Sequence, residues 1–280
     1  MASRPEIGRR VEAAGIGTNY LEAGTAGPPV VFIHGSGPGV SAYANWRLTL
    51  PAVADHLHAY APDMAGFGFS DKPGGYDLSL WVRQLVGFLD ALGLERASLV
   101  GNSFGGAVAL AVASSHPDRV DRLVLMGSVG LSFPLTEGLD RVWGYEPSVE
   151  AMRGLLDLFA YDRDLVTDEL AEVRYRASIE PGIQEAFASM FPPPRQRWIE
   201  ALATPEDHIA RLPHETLVVH GREDRVIPVE VSYRLFSLIE RARLHVFGRC
   251  GHWVQIEWAG AFARLLADFL TEERSPSDPR

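Results

Sequence analysis

Strand-like apolar runs alternate with helical patterns along most of this chain, and this alternation restricts the possible folds more than any other feature. Each run is short, rich in apolar residues, and followed by glycine or polar residues, as buried strands are. The predicted strands cover residues 30–35, 58–63, 96–102, 120–128, 215–221 and 242–248. The predicted helices between and after them cover residues 78–93, 105–117, 229–240 and 257–270. This order predicts an α/β fold with a mostly parallel sheet flanked by helices.

The alternation is interrupted once, after Pro134. From there to Ala203 the chain shows only helical patterns, at residues 148–162, 166–179 and 195–203. The proline-rich segment MFPPPR lies between the second and third of them. We therefore predict that residues 1–134 and 204–280 form one α/β core, and that residues 135–203 form an inserted helical cap, or lid.

Charge and composition argue against several classes of partner. The chain has a net charge of −10, which disfavours nucleic acid or an anionic membrane surface as the main partner. We find no apolar stretch long enough to span a bilayer and no signal-peptide core at the N-terminus. The one cysteine, Cys250, allows no internal disulfide, so the composition fits a protein of the reducing cytoplasm.

The segment GNSFG at residues 101–105 matches the pattern Gly-x-Ser-x-Gly between a predicted strand and a predicted helix. In that context the serine sits on a sharp turn that presents its hydroxyl at the carboxyl edge of the sheet. The N-terminus of the helix favours negative charge developing there. A glycine-rich turn needed only for packing is the alternative. We favour Ser103 as a nucleophile because both flanks fit.

A serine nucleophile needs a base, and the base needs an acid that orients it. Asp224 follows the predicted strand at 215–221, and His252 follows the strand at 242–248. Both loops leave the same sheet edge as Ser103 if the strands are parallel, and the order Ser, Asp, His is typical of this arrangement. Glu223 is an alternative acid, but a shorter side chain holds an imidazole more rigidly.

The other histidines and the cysteine fit structural roles better. His220 ends a strand and is expected to support the acid loop or the core, and His34 to tie down the loop that follows it. The remaining histidines have no partner pattern: they are His56, His58, His116, His208, His214 and His245. Cys250 lies two residues before His252, but an isolated cysteine is more often a small buried residue.

An oxyanion hole requires two N–H donors near the nucleophile. The residue after the nucleophile, Phe104, supplies one. The loop HGSGPG after the first predicted strand supplies the other, with Ser36 preferred and Gly37 next. Gly35 lets the same backbone approach a ligand closely. The loop does not match the dinucleotide pattern Gly-x-Gly-x-x-Gly, so we do not expect a bound nucleotide. We also expect no metal site.

Four segments together resemble one family. HGSGPGVSAYANWR, GNSFGGAVAL, SMFPPPRQRWI and GREDRVIP with ARLHVFGRCGHW are similar to the meta-cleavage product hydrolases of bacterial aromatic degradation. Within that family the 2-hydroxymuconic semialdehyde hydrolases are the most similar. The resemblance implies the α/β-hydrolase fold, a triad of Ser103, Asp224 and His252, no cofactor, a small-molecule substrate and a homo-oligomer.

The implied reaction is hydrolysis of a carbon–carbon bond in a 2-hydroxy-6-oxo-hexa-2,4-dienoate. The products are 2-hydroxypenta-2,4-dienoate and a carboxylic acid. The resemblance assigns the dienoate end of the substrate to Asn102, Arg174 and Trp253, together with Asn45. A guanidinium suits a carboxylate because it offers a planar fork of donors. The alternative for Arg174 is a surface ion pair with Glu169 or Glu172 at helical spacing.

The far end of the pocket is expected to be apolar and to accept a small C6 substituent, hydrogen or alkyl, in preference to phenyl. Candidates for this end come from the loop after a strand, the cap and the acid loop. They are Val129, Leu139, Trp143, Ile199 and Val226. Each is equally compatible with a place in the core. Two other functions stay open: a carboxylesterase with the same triad, and a ligand receptor on a hydrolase scaffold.

Overall fold

The computed structural model describes residues 4–273, and these form an eight-stranded sheet with helices on both faces. The order of strands across the sheet is β1-β2-β4-β3-β5-β6-β7-β8. The strands are β1 (Arg9–Ala13), β2 (Ile16–Ala23), β3 (Pro29–Ile33), β4 (His58–Pro62), β5 (Ala97–Asn102), β6 (Val120–Met126), β7 (Thr216–Gly221) and β8 (Ala242–Phe247). From β4 to β8 all neighbours are parallel, which confirms the predicted fold class.

The first two strands are the part of the sheet that the sequence did not predict. β1 and β2 form an antiparallel hairpin, and β2 pairs with β4 antiparallel. The hairpin turns at Ala14 and Gly15, both at positive φ. Such turns are usually marked by Asn-Gly or Asp-Gly, so alanine in the first position conceals the hairpin. β1 is also a mostly exposed edge strand, and its sequence lacks a continuous apolar run.

Thirteen α-helices lie within the described residues. They are α1 (Ala42–Trp46), α2 (Thr49–Val53), α3 (Leu78–Ala91), α4 (Phe104–Ser115), α5 (Glu137–Trp143), α6 (Val149–Phe159), α7 (Asp168–Ser178), α8 (Ile183–Met190), α9 (Gln196–Ala201), α10 (Glu206–Ile209), α11 (Val229–Leu238), α12 (Val254–Glu257) and α13 (Ala259–Thr271). One buried cluster unites α3, α4 and α11 with one face of the sheet. A second joins α1, α2 and α13 to the other face.

Helices α5 to α9 occupy the chain between β6 and β7, as the break in alternation predicts. α6, α7 and α9 match the three predicted helical patterns, while α5 and α8 are short helices that the sequence did not indicate. Thr136 begins α5, since its hydroxyl accepts a hydrogen bond from the Leu139 N–H. The division into a core and a cap at residues 135–203 stays a prediction, and residues 1–3 and 274–280 of the predicted core lie outside the described part. None of the described helices is long and apolar enough to cross a membrane.

Candidate active site

Ser103 lies at the turn between β5 and α4 in a conformation that L-residues rarely adopt, with φ 54° and ψ −116°. The turn is held on both sides. The Ser103 N–H donates to the Met126 carbonyl at 2.9 Å, and the Ser103 carbonyl accepts from the Gly106 and Val129 N–H groups at 3.0 and 3.1 Å. A strained residue persists where its surroundings determine its geometry, and such positions cluster at active sites.

Two glycines permit this turn because α4 approaches the sheet too closely for any side chain. A Cβ at Gly105 would lie 2.3 Å from the Ile33 carbonyl oxygen of β3, and a Cβ at Gly101 would lie 2.4 Å from the Gly105 carbonyl oxygen. Backbone atoms cannot move aside as flexible side chains can. The glycines therefore serve packing, and that packing places Ser103 at the N-terminus of α4.

His252 and Asp224 form a buried pair at the same edge of the sheet. The Nδ1 of His252 lies 2.7 Å from the Asp224 Oδ2, while the N–H groups of Val226 and Ile227 donate to the Asp224 Oδ1 at 2.7 and 3.0 Å. Burial alone favours the neutral carboxyl, but the charge of His252 and hydrogen bonds from His220 and His252 outweigh it. The pKa of Asp224 is therefore well below its usual range, and the group is ionised at neutral pH.

His220 supports the acid from behind. It is fully buried, and its Nε2 lies 3.2 Å from the Asp224 Oδ2 and 3.0 Å from the Ile227 carbonyl oxygen. Both neighbours only accept hydrogen bonds, so we assign the proton to Nε2. The Nδ1 then accepts from the Ser232 hydroxyl at 2.6 Å. The structure thus places His220 against the acid, consistent with the supporting role expected from its position after a strand.

Glu223 and Cys250 are engaged elsewhere. The Glu223 Oε2 accepts a hydrogen bond from the Cys250 N–H at 3.0 Å, and its Oε1 accepts one from the Arg222 side chain at 2.9 Å. Burial raises the pKa of the Cys250 thiol far above its usual range, which keeps it protonated and unreactive. Neither side chain competes with Asp224 or Ser103 in this geometry.

The loop that carries His252 is tied to the predicted cap. The His252 N–H donates to the Phe159 carbonyl at the end of α6 at 2.7 Å. Glu257 joins the two segments, since it accepts hydrogen bonds from Gly251 at 2.6 Å and from the Tyr161 and Asp162 N–H groups at 2.8 and 2.9 Å. No sequence pattern indicated Glu257, because two of its partners are backbone groups nearly one hundred residues away.

The loop after β3 is fixed by side chains that reach it from several elements. The Gly35 N–H donates to the Asn45 Oδ1 at 3.1 Å, and Trp143 Nε1 donates to the Ser36 Oγ at 3.1 Å. His34 ties the loop to Met64: its Nδ1 lies 2.7 Å from the Gly35 carbonyl oxygen, and its Nε2 accepts from the Met64 N–H at 2.9 Å. Burial lowers the pKa of His34 to about 4, so the ring is neutral and structural, as expected.

A cavity of about 780 Å³, including its open mouth, lies over Ser103 between the sheet edge and helices α5 to α7. Eleven of the predicted site residues line it. They are Gly35, Ser36, Gly37, Asn45, Asn102, Ser103, Leu139, Arg174, Val226, His252 and Trp253. The Phe104 N–H belongs to the first turn of α4, whose N–H groups have no partner within the helix, and this position beside Ser103 suits an oxyanion donor.

Three predicted pocket residues lie behind the wall instead. Val129, Trp143 and Ile199 are all buried and do not line the cavity. Trp143 stacks on Phe191 with ring centroids 4.4 Å apart and holds Ser36 through its indole N–H. The apolar wall is formed mainly by residues that the sequence did not single out, because each belongs to a helical apolar stripe that serves the core equally well. They are Val142, Met152, Leu156, Phe159, Leu170 and Ile256.

Arg174 supplies positive charge to the polar end of the cavity. Within residues 4–273 it forms no ion pair with a carboxylate, and its one hydrogen bond runs from Nη2 to the Pro38 carbonyl at 3.4 Å. The surface ion pair considered as an alternative is wrong, since Glu172 pairs with Arg176 at 2.8 Å. Burial, with a contribution from nearby Arg47, lowers the pKa of Arg174 to about 10. The guanidinium therefore stays charged at neutral pH. No carboxylate of the described residues forms an ion pair with it, and the more distant charge of Glu6 favours its protonated form.

Two amides line the same cavity as this guanidinium. Asn45 uses its Oδ1 on the Gly35 N–H, while its buried Nδ2 has no hydrogen-bond partner among the described residues. Asn102, directly before Ser103, donates weakly from Nδ2 to the Met126 carbonyl at 3.4 Å. A buried donor without a partner is costly, so the cavity offers donors suited to an anionic or carbonyl oxygen. The described residues contain no cluster of His, Cys, Asp and Glu arranged to hold a metal ion.

Comparison with known proteins agrees with this geometry. The family described as alpha/beta hydrolase fold matches residues 28–259. A 2-hydroxymuconate semialdehyde hydrolase of Pseudomonas sp. strain CF600 is 62% identical over 96% of this chain and 95% of its own. A 2-hydroxy-6-oxo-2,4-heptadienoate hydrolase of Pseudomonas putida strain F1 is also 62% identical, over 96% of this chain and 98% of its own.

Solved structures give the same result. The meta-cleavage product hydrolase from Pseudomonas fluorescens IP01, solved as a serine-to-alanine variant with acetates, superposes with a TM-score of 0.93. It is 58% identical, and the match covers 95% of this chain and 98% of that one. The resemblance inferred from the sequence is thus confirmed: the chain belongs to the alpha/beta hydrolases and, within them, to the meta-cleavage product hydrolases.

Proposed function

We propose that this protein hydrolyses the carbon–carbon bond of 2-hydroxy-6-oxo-hexa-2,4-dienoates formed by meta cleavage of aromatic rings. The products are 2-hydroxypenta-2,4-dienoate and a carboxylic acid. One observation carries the proposal: the cavity that contains Ser103 and His252 also contains Arg174, a charged guanidinium without a carboxylate partner. A substrate with a carboxylate at one end and a reactive carbonyl further along fits this arrangement.

Binding begins at the polar end. Arg174 takes the substrate carboxylate, and the amides of Asn45 and Asn102 serve the carboxylate and the neighbouring 2-hydroxyl group. Trp253, whose ring packs 5.2 Å from that of Phe159, covers the conjugated chain. The C6 carbonyl then lies toward Ser103, and its substituent points to the apolar wall. Holding both ends fixes the reacting carbonyl against the nucleophile, and such positioning lowers the barrier.

The dienol first becomes a ketone. A proton moves from the 2-hydroxyl group to C5, and His252 is placed to carry it. The resulting C2 ketone, conjugated with the C3–C4 double bond, accepts the electron pair of the C5–C6 bond when that bond breaks. Asp224 keeps His252 in the tautomer that can act as a base, and it stabilises the imidazolium that forms.

Ser103, or a water molecule activated by His252, then adds to C6. The developing oxyanion accepts hydrogen bonds from the Phe104 and Ser36 N–H groups. When the C5–C6 bond breaks, its electron pair forms the C4–C5 double bond, the C2 oxygen takes a proton, and C6 leaves as the carboxylic acid, with one water consumed overall. The same residues serve a route through an acyl-enzyme and a route through a gem-diol, because both need a base, an oxyanion hole and the electron sink.

Turnover of a ring-fission product tests the proposal directly. We expect the purified protein to remove the visible absorbance of 2-hydroxymuconate semialdehyde, and to hydrolyse p-nitrophenyl acetate poorly by comparison. Ser103→Ala should lower kcat by about 10³-fold or more, since the base and oxyanion hole alone retain little catalysis. The exposed Ser115→Ala, at the far end of α4, is the control. Efficient ester hydrolysis without loss of the absorbance would favour the esterase instead.

The C6 substituent should be small. The two relatives that are 62% identical are named for substrates with hydrogen or methyl at C6, and the wall that faces C6 is lined by bulky side chains such as Leu139, Met152 and Phe159. We expect kcat/KM to be higher for the hydrogen and methyl substrates than for the 6-phenyl substrate. Comparison of the three under the same conditions measures this, and a higher value for phenyl would contradict it.

Arg174 should dominate recognition of the carboxylate. Arg174→Gln removes the charge and the fork of donors, so we expect kcat/KM to fall by about 100-fold, the range of a lost charge-assisted hydrogen bond. With a pKa of about 10, Arg174 is protonated throughout neutral pH, and the ratio of wild type to variant should stay constant between about pH 6 and 8.5. Arg211→Gln, which removes an exposed arginine paired with Asp207 that does not line the cavity, is the matched control; an equal loss there would contradict the assignment.

A further inference from the structure

A second hollow, the outer cleft, adjoins the active-site cavity. Six charged residues line it, together with apolar and small ones: Arg4, Glu6, Arg47, Arg174, Arg176 and Glu180. Its rim is exposed, since the side chain of Arg176 is 73% exposed and that of Arg4 is 50% exposed. Four residues, Ala44, Arg47, Leu170 and Arg174, line both the outer cleft and the cavity over Ser103. These four residues form a shared wall where the outer cleft adjoins the cavity over Ser103.

The outer cleft is positive on a negative protein. Its four arginines outnumber its two glutamates, whereas the whole chain carries a net charge of −10. An acidic surface repels an anionic substrate, and a cleft lined by the opposite charge focuses the field and raises the local concentration of anions. The outer cleft therefore carries the positive charge that attracts a carboxylate, whereas the protein as a whole is negative.

Arg47 is the residue in the shared wall that the reaction has not used. Its Nη1 donates to the Ala44 carbonyl at 2.8 Å, and it forms no ion pair with a carboxylate among residues 4–273. The arginines of the rim are different: Arg4 pairs with Glu180 and Arg176 pairs with Glu172. Arg47 also lies close enough to Arg174 to lower the pKa of that guanidinium.

Two neighbouring guanidinium groups repel each other, and an anion between them relieves that repulsion. Glu6, which also lines the outer cleft, acts electrostatically on Arg174 but forms no ion pair with either arginine among residues 4–273. Arg47 faces both the outer cleft and the cavity, so an anion that reaches Arg47 from solvent is already beside Arg174. The paired arginines thus lie at the rim of the outer cleft, and the two arginines that form no ion pair with a carboxylate among residues 4–273 lie where the cleft adjoins the cavity.

We propose that the outer cleft is the entrance for the substrate, and that Arg47 captures the carboxylate of a small conjugated carboxylic acid and transfers it to Arg174. Arg47 acts on association: it raises the rate at which the anion arrives, while Arg174 holds the anion during the reaction. The identity of the anion as a dienoate rests on the proposed function. The role of Arg47 as an entrance cation rests on the shared wall and the absence of a carboxylate partner there.

Stopped-flow association tests this role separately from turnover. In a Ser103→Ala background, binding of 2-hydroxymuconate semialdehyde is followed by the change in its absorbance, with and without Arg47→Gln. We expect Arg47→Gln to slow association about fivefold to tenfold at about 10 mM ionic strength, where charges act over about 30 Å. The difference should shrink to less than twofold at about 0.5 M salt, and the dissociation rate should change less than the association rate.

Arg211→Gln is the matched control. Arg211 is an exposed arginine paired with Asp207 at 2.8 Å, and it lies beside Ala113 and Pro117, at the opposite end of α4 from Ser103. The Arg211→Gln substitution removes the same charge as Arg47→Gln but leaves the outer cleft unchanged, so association should match that of the Ser103→Ala parent. If both variants slowed association equally, the effect would come from the net charge of the protein alone, and the role of Arg47 would be overturned.

Two further outcomes would also overturn the proposal. One is an association rate that Arg47→Gln leaves unchanged at low salt. The other is a loss that persists at high salt and appears in the dissociation rate, because Arg47 would then hold the bound substrate as Arg174 does. The proposed function fails separately: if the Ser103→Ala protein binds the compound but the wild type does not hydrolyse it, only the function falls. If the Ser103→Ala protein binds no ring-fission product, both proposals fall.

Discussion

The close contact between α4 and the central strands determines the site. Because Gly105 brings the start of the helix against the Ile33 carbonyl, the chain must turn sharply after β5, and Ser103 takes the positive φ that the turn requires. The parallel order of β5, β6, β7 and β8 then delivers the loops with Asp224 and His252 to the same edge. A side chain larger than hydrogen at Gly105 would move the helix, and with it the nucleophile and the Phe104 N–H.

Two charged groups, Asp224 and Arg174, have different roles in the site. Asp224 is kept ionised by hydrogen bonds from two histidines and two backbone N–H groups. Its negative charge therefore acts on His252 and is shielded from solvent. Arg174 is charged and unpaired, which leaves its attraction available to a ligand. A buried charge without a partner is unfavourable in the empty protein, and a carboxylate substrate supplies the missing counterion. Binding of an anion therefore removes the unfavourable free energy of the buried Arg174 charge, and this relief adds to the free energy of binding.

The sequence predicted the parallel part of the sheet, the helical insertion and the positions of Ser103, Asp224 and His252, since each follows from a local pattern and the rule that parallel strands share an edge. It missed the β1–β2 hairpin because Ala14 replaces the usual turn residue. It also missed Glu257, which joins two loops through backbone groups, two of them nearly one hundred residues away. Val129, Trp143 and Ile199 were misplaced because apolar periodicity identifies a buried side and cannot separate a cavity wall from the layer behind it.

In the proposed reaction, one cavity holds a dienoate carboxylate at Arg174 and its C6 carbonyl at Ser103. A crystal structure of the Ser103→Ala protein with bound 2-hydroxymuconate semialdehyde measures both ends at once. We expect a bidentate contact between Arg174 and the carboxylate, and a C6 oxygen about 3 Å from the Phe104 N–H. A carboxylate bound elsewhere, or a substrate in the reverse orientation with C6 at Arg174, would contradict it.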